Sequence, residues 1–143
     1  MRVTFFFIFF LLISKFNFSQ SLKGEWDGHF IDNYDKQYPI KLFFSLKKDS
    51  SYKVYSYSKG HNFKGLDTTV VCEIKYKIIS ADSINLQETN VLKPEKTSDV
   101  ICLQKMYLKM KEKKKEIILE GNWENASKDC ISYGTITFTK KIN

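Results

Sequence analysis

From Glu25 onward, apolar residues recur at every second position and the positions between them are polar or charged. A period of two puts alternate side chains on opposite faces of an extended strand. The runs are rich in Tyr, Phe, Ile, Val and Thr, which suit a pleated, half-buried surface. Eight strands are predicted on this basis. The first, 25–31, carries Trp26, Gly28 and Phe30 on one face and Glu25, Asp27 and His29 on the other. The second, 38–47, alternates Ile40, Leu42, Phe44 and Leu46 with Lys41, Phe43, Ser45 and Lys47. In the third, 51–58, Tyr52, Val54 and Ser56 oppose Lys53, Tyr55 and Tyr57, and either face can be the inner one. The fourth, 69–79, has the clearest alternation, with Val70, Cys72, Ile74, Tyr76 and Ile78 against Glu73, Lys75 and Lys77. The fifth, 83–92, is built on Ile84 and Leu86, and the sixth, 101–111, on Met106, Leu108 and Met110. The seventh, 116–124, shows Ile117, Leu119, Gly121 and Trp123, and the eighth, 133–140, shows Ile136 and Phe138.

One apolar and one polar face per strand argues for antiparallel pairing. The connections are too short for crossover helices, so neighbours should pair in order as an up-and-down meander. Eight such strands can close into a barrel, which removes exposed edges. The interior of such a barrel either fills with side chains or holds one small ligand. Links 48–50, 80–82 and 112–115 are tight, whereas 32–37, 59–68, 93–100 and 125–132 are longer. In a meander the two sets lie at opposite ends. One end is therefore expected to be closed by turns and the other ringed by loops, where binding residues tend to sit.

The segment before the strands has a different character. Arg2 precedes an unbroken apolar run from Phe5 to Ile13. Nine helical residues cover roughly 14 Å, about half a hydrocarbon core, so the run suits a secretory signal rather than a membrane span. Residues 1–19 are read as a signal peptide with Ser19 at the cleavage position, and 20–143 as one β-barrel domain. No later stretch is apolar enough to cross as a helix, and no cysteine follows the run to carry a lipid anchor. The mature protein is expected to be secreted or periplasmic.

Composition sharpens this picture in a few places. At 43% hydrophobic and 27% charged, the 143-residue chain is globular, with room for one core and not two. The formal charge of +7 includes two basic residues of the signal, which leaves +5 on the domain. The run from Lys109 to Lys115 holds five of the lysines and reads as a solvated hairpin tip. Export, and the lack of any nucleic-acid motif, argue against a specific nucleic-acid partner.

The first strand opens with Leu22-Lys23-Gly24-Glu25-Trp26-Asp27-Gly28, and its G-x-W resembles the start of the first strand in lipocalins and other calycin barrels. That resemblance implies a lipocalin-like barrel with a structural role for Gly24 and with Trp26 packed across the closed end. The chain also resembles small secreted bacterial β proteins of unknown function that share this start and a late L-x-G-x-W. It departs from lipocalins in lacking a helical pattern after the last strand, and the avidin biotin constellation is not recognisable. Leu119-Glu120-Gly121-Asn122-Trp123-Glu124 echoes the opening motif, so Gly121 and Trp123 are expected to pack in a related way.

The residues able to carry chemistry are few. Of three cysteines, Cys102 and Cys130 fall at the long-loop end and are expected to pair, with Cys72 a buried thiol; other pairings and a reduced state remain alternatives. The two histidines, His29 and His61, are too few for a hydrolase triad or a three-histidine metal site. His61 with Asp67 offers at most a weak metal pair, and no cofactor is expected. Glu88 continues the Ile84–Leu86 face, so its carboxylate either points inward as a polar anchor or is turned outward by a bulge. The long-loop end should gather Tyr34, Tyr38, His61, Phe63, Lys64, Lys93, Lys96, Lys128 and Tyr133, with Trp123 near its mouth. The best-supported reading is a non-catalytic binding module for a small molecule or a protein partner. The alternatives are a side-chain-filled structural domain and an enzyme using an internal acid such as Glu88.

Overall fold

The structure is a computed structural model that describes residues 21–61, 67–93, 101–126 and 130–142. Eight antiparallel strands follow one another around a closed barrel: β1 (Gly24–Asp32), β2 (Gln37–Leu46), β3 (Tyr52–His61), β4 (Asp67–Ile78), β5 (Ser83–Lys93), β6 (Gln104–Lys113), β7 (Glu116–Asn125) and β8 (Tyr133–Lys141). β1 pairs with β2 on one side and β8 on the other, which closes the sheet. The meander expected from the alternation is thus the fold. Its inward rows build one core, including Leu42 and Phe44, Ile84 and Leu86, Met106 and Leu108, and Ile136 and Phe138. The ambiguous third strand resolves with Tyr52, Val54 and Ser56 inward, because Val54 and Ser56 pair with inward Ile74 and Cys72.

Several boundaries differ from the sequence reading. Cys102 does not begin the sixth strand; β6 starts at Gln104, because pairing with β5 stops at Gln87–Lys105 and Cys102 is held by its disulfide. The link between β1 and β2 is only 33–36, a tight turn and not a long loop. Asp32 accepts the Tyr34 and Lys36 backbone N–H groups, each at 2.9 Å, and so shortens it. His61 and Asp67 are not loop residues either, since they form the last pair of the β3–β4 ladder. The long-loop end therefore owes its character to the links after β3, β5 and β7.

The opposite end is plugged from below. Residues 21 and 22 are helical and carry Leu22 into the core. Gly24, at φ +109°, then swings the chain into β1, a conformation that L side chains rarely adopt. Trp26 is fully buried there and donates its indole N–H to the Leu22 carbonyl at 2.9 Å. The Lys140 ammonium lies 4.7 Å from the centre of the indole ring and donates to the Ser21 and Lys23 carbonyls. One lysine thus covers the tryptophan and ties the N-terminal turn to β8.

Candidate functional site

The open half of the barrel has two unlike walls. One is aromatic. Phe30 stacks on Tyr38 with ring centroids 5.0 Å apart and meets Trp123 edge-on at 5.1 Å. Trp123 is 4% exposed and donates its indole N–H to the Ile31 carbonyl at 3.1 Å, so its ring is fixed against β1. Gly121 permits close approach on the same face: a Cβ there would lie 1.9 Å from the Tyr107 carbonyl oxygen. Tyr38 also reaches Asp32 at 3.4 Å, and burial together with that carboxylate holds its phenol above the ordinary value.

The other wall is polar. Glu88 points inward and is 5% exposed. The expected bulges exist, but they fall at Thr89 and Leu92, beyond Glu88, and so leave its direction unchanged. The Ser56 hydroxyl donates to one carboxylate oxygen at 2.5 Å and the Gln104 backbone N–H to the other at 2.9 Å. The second bond replaces a rung of the β5–β6 ladder, which has already ended. Both donors are neutral, and burial outweighs them, so the carboxyl is held above its ordinary value. Cys72 faces the same cluster. Burial first, and the Glu88 charge second, push its thiol up to about 12, against the opposing pull of a Ser56 hydrogen bond. The Gln104 side-chain oxygen is buried with no hydrogen-bond partner among the described residues.

Strand order sets these walls against each other. In a closed ring of eight, β1 lies across from β5, β2 from β6 and β7 from β3. Phe30 therefore looks towards the strand of Glu88, Tyr38 towards that of Gln104, and Trp123 towards that of Ser56. The aromatic cluster and the polar cluster thus occupy opposite arcs of the strand ring.

The remaining residues named from sequence are spread out. Tyr34 and Tyr133 are 74% and 60% exposed, on the short β1–β2 turn and the first position of β8. Lys93 ends β5 and is exposed, and His61 ends β3. Phe63, Lys64, Lys96 and Lys128 lie outside the described residues. Cys102 and Cys130 are bonded, with Cα atoms 5.8 Å apart, and Cys72 is free and buried. Among the described residues no group of three or more His, Cys, Asp or Glu is placed to hold a metal ion. Phe30, Ser56 and Gln104 were not singled out as site residues from sequence. Phe30 carried a signal, its inward parity beside Trp26, but Ser56 and Gln104 join the cluster only through strand pairing, from β3 two strands away and from β6 next to β5.

A cleft of about 480 Å³ opens instead on the outer wall beside Lys53, Glu73, Lys75 and Asn90. These are water-facing side chains along the bulged part of the sheet. They lack the buried, incompletely paired groups of the interior.

No protein-family profile and no curated protein matches the chain. Solved structures do. The structure of EF1p2_mFAP2b bound to DFHBI has 11% identity and a TM-score of 0.54, covering 91% of this chain and 98% of that one. A redesigned β-barrel has 10% identity and a TM-score of 0.50, covering 87% and 96%. At these identities the likeness is one of fold: an eight-stranded antiparallel meander barrel.

Proposed function

We propose that this chain is an exported, non-catalytic, lipocalin-like barrel that binds a flat small molecule in its open half. The molecule stacks against Phe30, Tyr38 and Trp123 and hydrogen-bonds to Glu88 and Gln104. The observation that carries the reading is the buried acceptor surplus. Among the described residues Glu88 has two neutral donors and no cation, and the Gln104 Oε1 atom has no donor. Buried acceptors are expensive to leave incomplete, and a ligand bearing N–H groups would complete them. Aromatic rings opposite favour the same class, because their faces attract electron-poor or cationic rings. One similar barrel was solved bound to DFHBI, which supports this reading by analogy of fold.

Export rests on the apolar run of residues 5–13 behind Arg2, and a disulfide is at home in an oxidising compartment. Intact-mass analysis of the exported product should show a chain beginning near Gln20 or Ser21; retention of Met1 would refute the signal assignment. For binding, tryptophan emission should be titrated with proflavine, a flat aromatic cation, and with DFHBI. Saturable quenching by either is expected. It should weaken at least tenfold in Phe30→Leu, and in Glu88→Gln for proflavine. Absence of saturable binding by both probes would favour the alternative in which side chains fill the whole barrel, as Trp26, Phe44 and Phe138 already fill its closed half.

A further inference from the structure

The closed end of the barrel carries a surface that ligand binding leaves unused. Three of the four strands running towards this end continue their inward row one step past the core. In β2 the buried Ile40, Leu42 and Phe44 are followed by Leu46. In β4 buried Ile74 and half-buried Tyr76 are followed by Ile78. In β8 buried Ile136 and Phe138, then Lys140 over Trp26, are followed just beyond the strand by Ile142. Ile79 opens the turn after β4 and adds a fourth. These side chains are 41–51% exposed. Leu46, the Ile78–Ile79 pair and Ile142 stand at the ends of three different strands around the rim.

Lysines occupy the intervals. Lys47 and Lys48 follow Leu46, and Lys77 precedes Ile78. The β6–β7 turn is built around Lys113, Lys114 and Lys115, and the Lys115 carbonyl accepts the Ile142 N–H at 2.9 Å, which joins that turn to the end of β8. The acids of the rim, Asp49, Asp82, Glu112 and Glu116, are outnumbered by its lysines, Lys47, Lys48, Lys77, Lys113, Lys114, Lys115 and Lys141. Asp49 accepts from Ser51, Asp82 from Ser80 and Ser83, and Glu116 pairs with Lys113 at 3.8 Å. Lys48, Lys77, Lys114, Lys115 and Lys141 make no ion pair among the described residues.

We propose that this end docks on the surface of an anionic lipid bilayer. The lysines meet the headgroups, and Leu46, Ile78, Ile79 and Ile142 enter the interface. Charge complementarity selects the anionic surface. Exposed aliphatic tips, set in a ring around a circular end, suit a plane with an apolar layer beneath it rather than a soluble polyanion. Neither feature suffices alone: stable peripheral attachment takes an apolar and a polybasic contribution together. Long lysine side chains also reach from a partly immersed rim back to the headgroups. Docked in this way, the barrel turns its long-loop end away from the membrane. The proposal is independent of the ligand chamber at the other end.

The test is co-sedimentation of the exported protein with vesicles of phosphatidylglycerol and phosphatidylcholine, against phosphatidylcholine alone. Binding to the anionic vesicles and not to the neutral ones is expected. The triple variant Lys113→Gln, Lys114→Gln, Lys115→Gln should weaken it by about a hundredfold. The triple variant Leu46→Ser, Ile78→Ser, Ile79→Ser should weaken it at least tenfold, with Ile79→Ser alone as the version least able to disturb folding. Circular dichroism should show native structure in each. Absence of preference for anionic vesicles would overturn the proposal. So would undiminished vesicle binding by the folded apolar variants, which would assign the rim to soluble polyanions instead.

Discussion

Replacing Trp26 with alanine tests the closed end directly. The indole is fully buried beneath Leu22 and beneath Lys140. Truncating a buried tryptophan typically costs about 3–5 kcal/mol through lost transfer energy and the cavity left behind. A further cost of about 1–3 kcal/mol arises if the Leu22 carbonyl is left without its donor. The Lys140 ammonium, which burial holds below its ordinary value, would also lose the ring face it lies against. No separate energy is added for it, since much of its surface still meets water. The sum, roughly 4–8 kcal/mol, is comparable with the whole stability of about 5–15 kcal/mol expected for a domain of this kind.

Urea unfolding followed by circular dichroism reads the effect. With a slope of about 1–3 kcal/mol/M, Trp26→Ala should lower the midpoint by more than about 1 M or abolish folding. Trp26→Phe keeps a ring in place but loses the N–H donor, and it should fall between parent and alanine. Lys140→Met removes the donors to the Ser21 and Lys23 carbonyls while leaving an apolar cover on the ring, so it should loosen residues 21–23 more than the barrel. A Trp26→Ala midpoint equal to that of the parent would refute this reasoning. The plug would then not support the barrel, and the resemblance of the G-x-W start to calycin barrels would lose its structural meaning.

Glu88 should make stability fall as pH rises. Its folded carboxyl holds a proton more tightly than the ordinary value of 4.5, so its contribution is full below that value and is lost as pH climbs through the folded one; Glu88→Gln should flatten this slope in urea melts taken across pH, and an unchanged slope would show that the carboxyl does not titrate abnormally. The Cys102→Ser, Cys130→Ser double variant frees a loop of sequence separation 28 and should lose about 3–4 kcal/mol, read as a lower urea midpoint than the oxidised parent. Cys72 should resist a thiol reagent in the native state and react only on unfolding, because it is buried and its pKa is pushed up to about 12; rapid native labelling would contradict its position. Gly121→Ala should cost about 1–3 kcal/mol, since the new methyl would press on the Tyr107 carbonyl and backbone cannot step aside cheaply.

What was legible in the sequence was whatever a period of two can encode. Alternation alone located all eight strands and put Trp26 and Cys72 on the inner face, because parity along a strand is a local property, whereas for Glu88 it left an inward carboxylate and an outward bulge both open. Partners across the barrel are not local. Ser56 and Glu88 are 32 residues apart, and the Trp123 indole finds the Ile31 carbonyl at a separation of 92 only because β1 closes against β8. The start of β6 was misjudged for a related reason. Its inward parity runs on through Gln104 to Cys102, but pairing with β5 stops at Gln87–Lys105, and the Glu88 carboxylate accepts the next backbone N–H, that of Gln104. Lys140 shows the same limit in reverse. Its parity places it inward, where a lysine ordinarily argues against the assignment. Only the N-terminal turn, which supplies two carbonyls and a ring, makes that position habitable for an ammonium group. Polar residues on an inward row therefore mark the places where something outside the local pattern completes the site. At Lys140 the chain itself supplies the partners. At Glu88 and Gln104 it supplies donors to the carboxylate and, among the described residues, leaves one buried oxygen unpaired, and the proposed ligand site at the open end rests on that contrast.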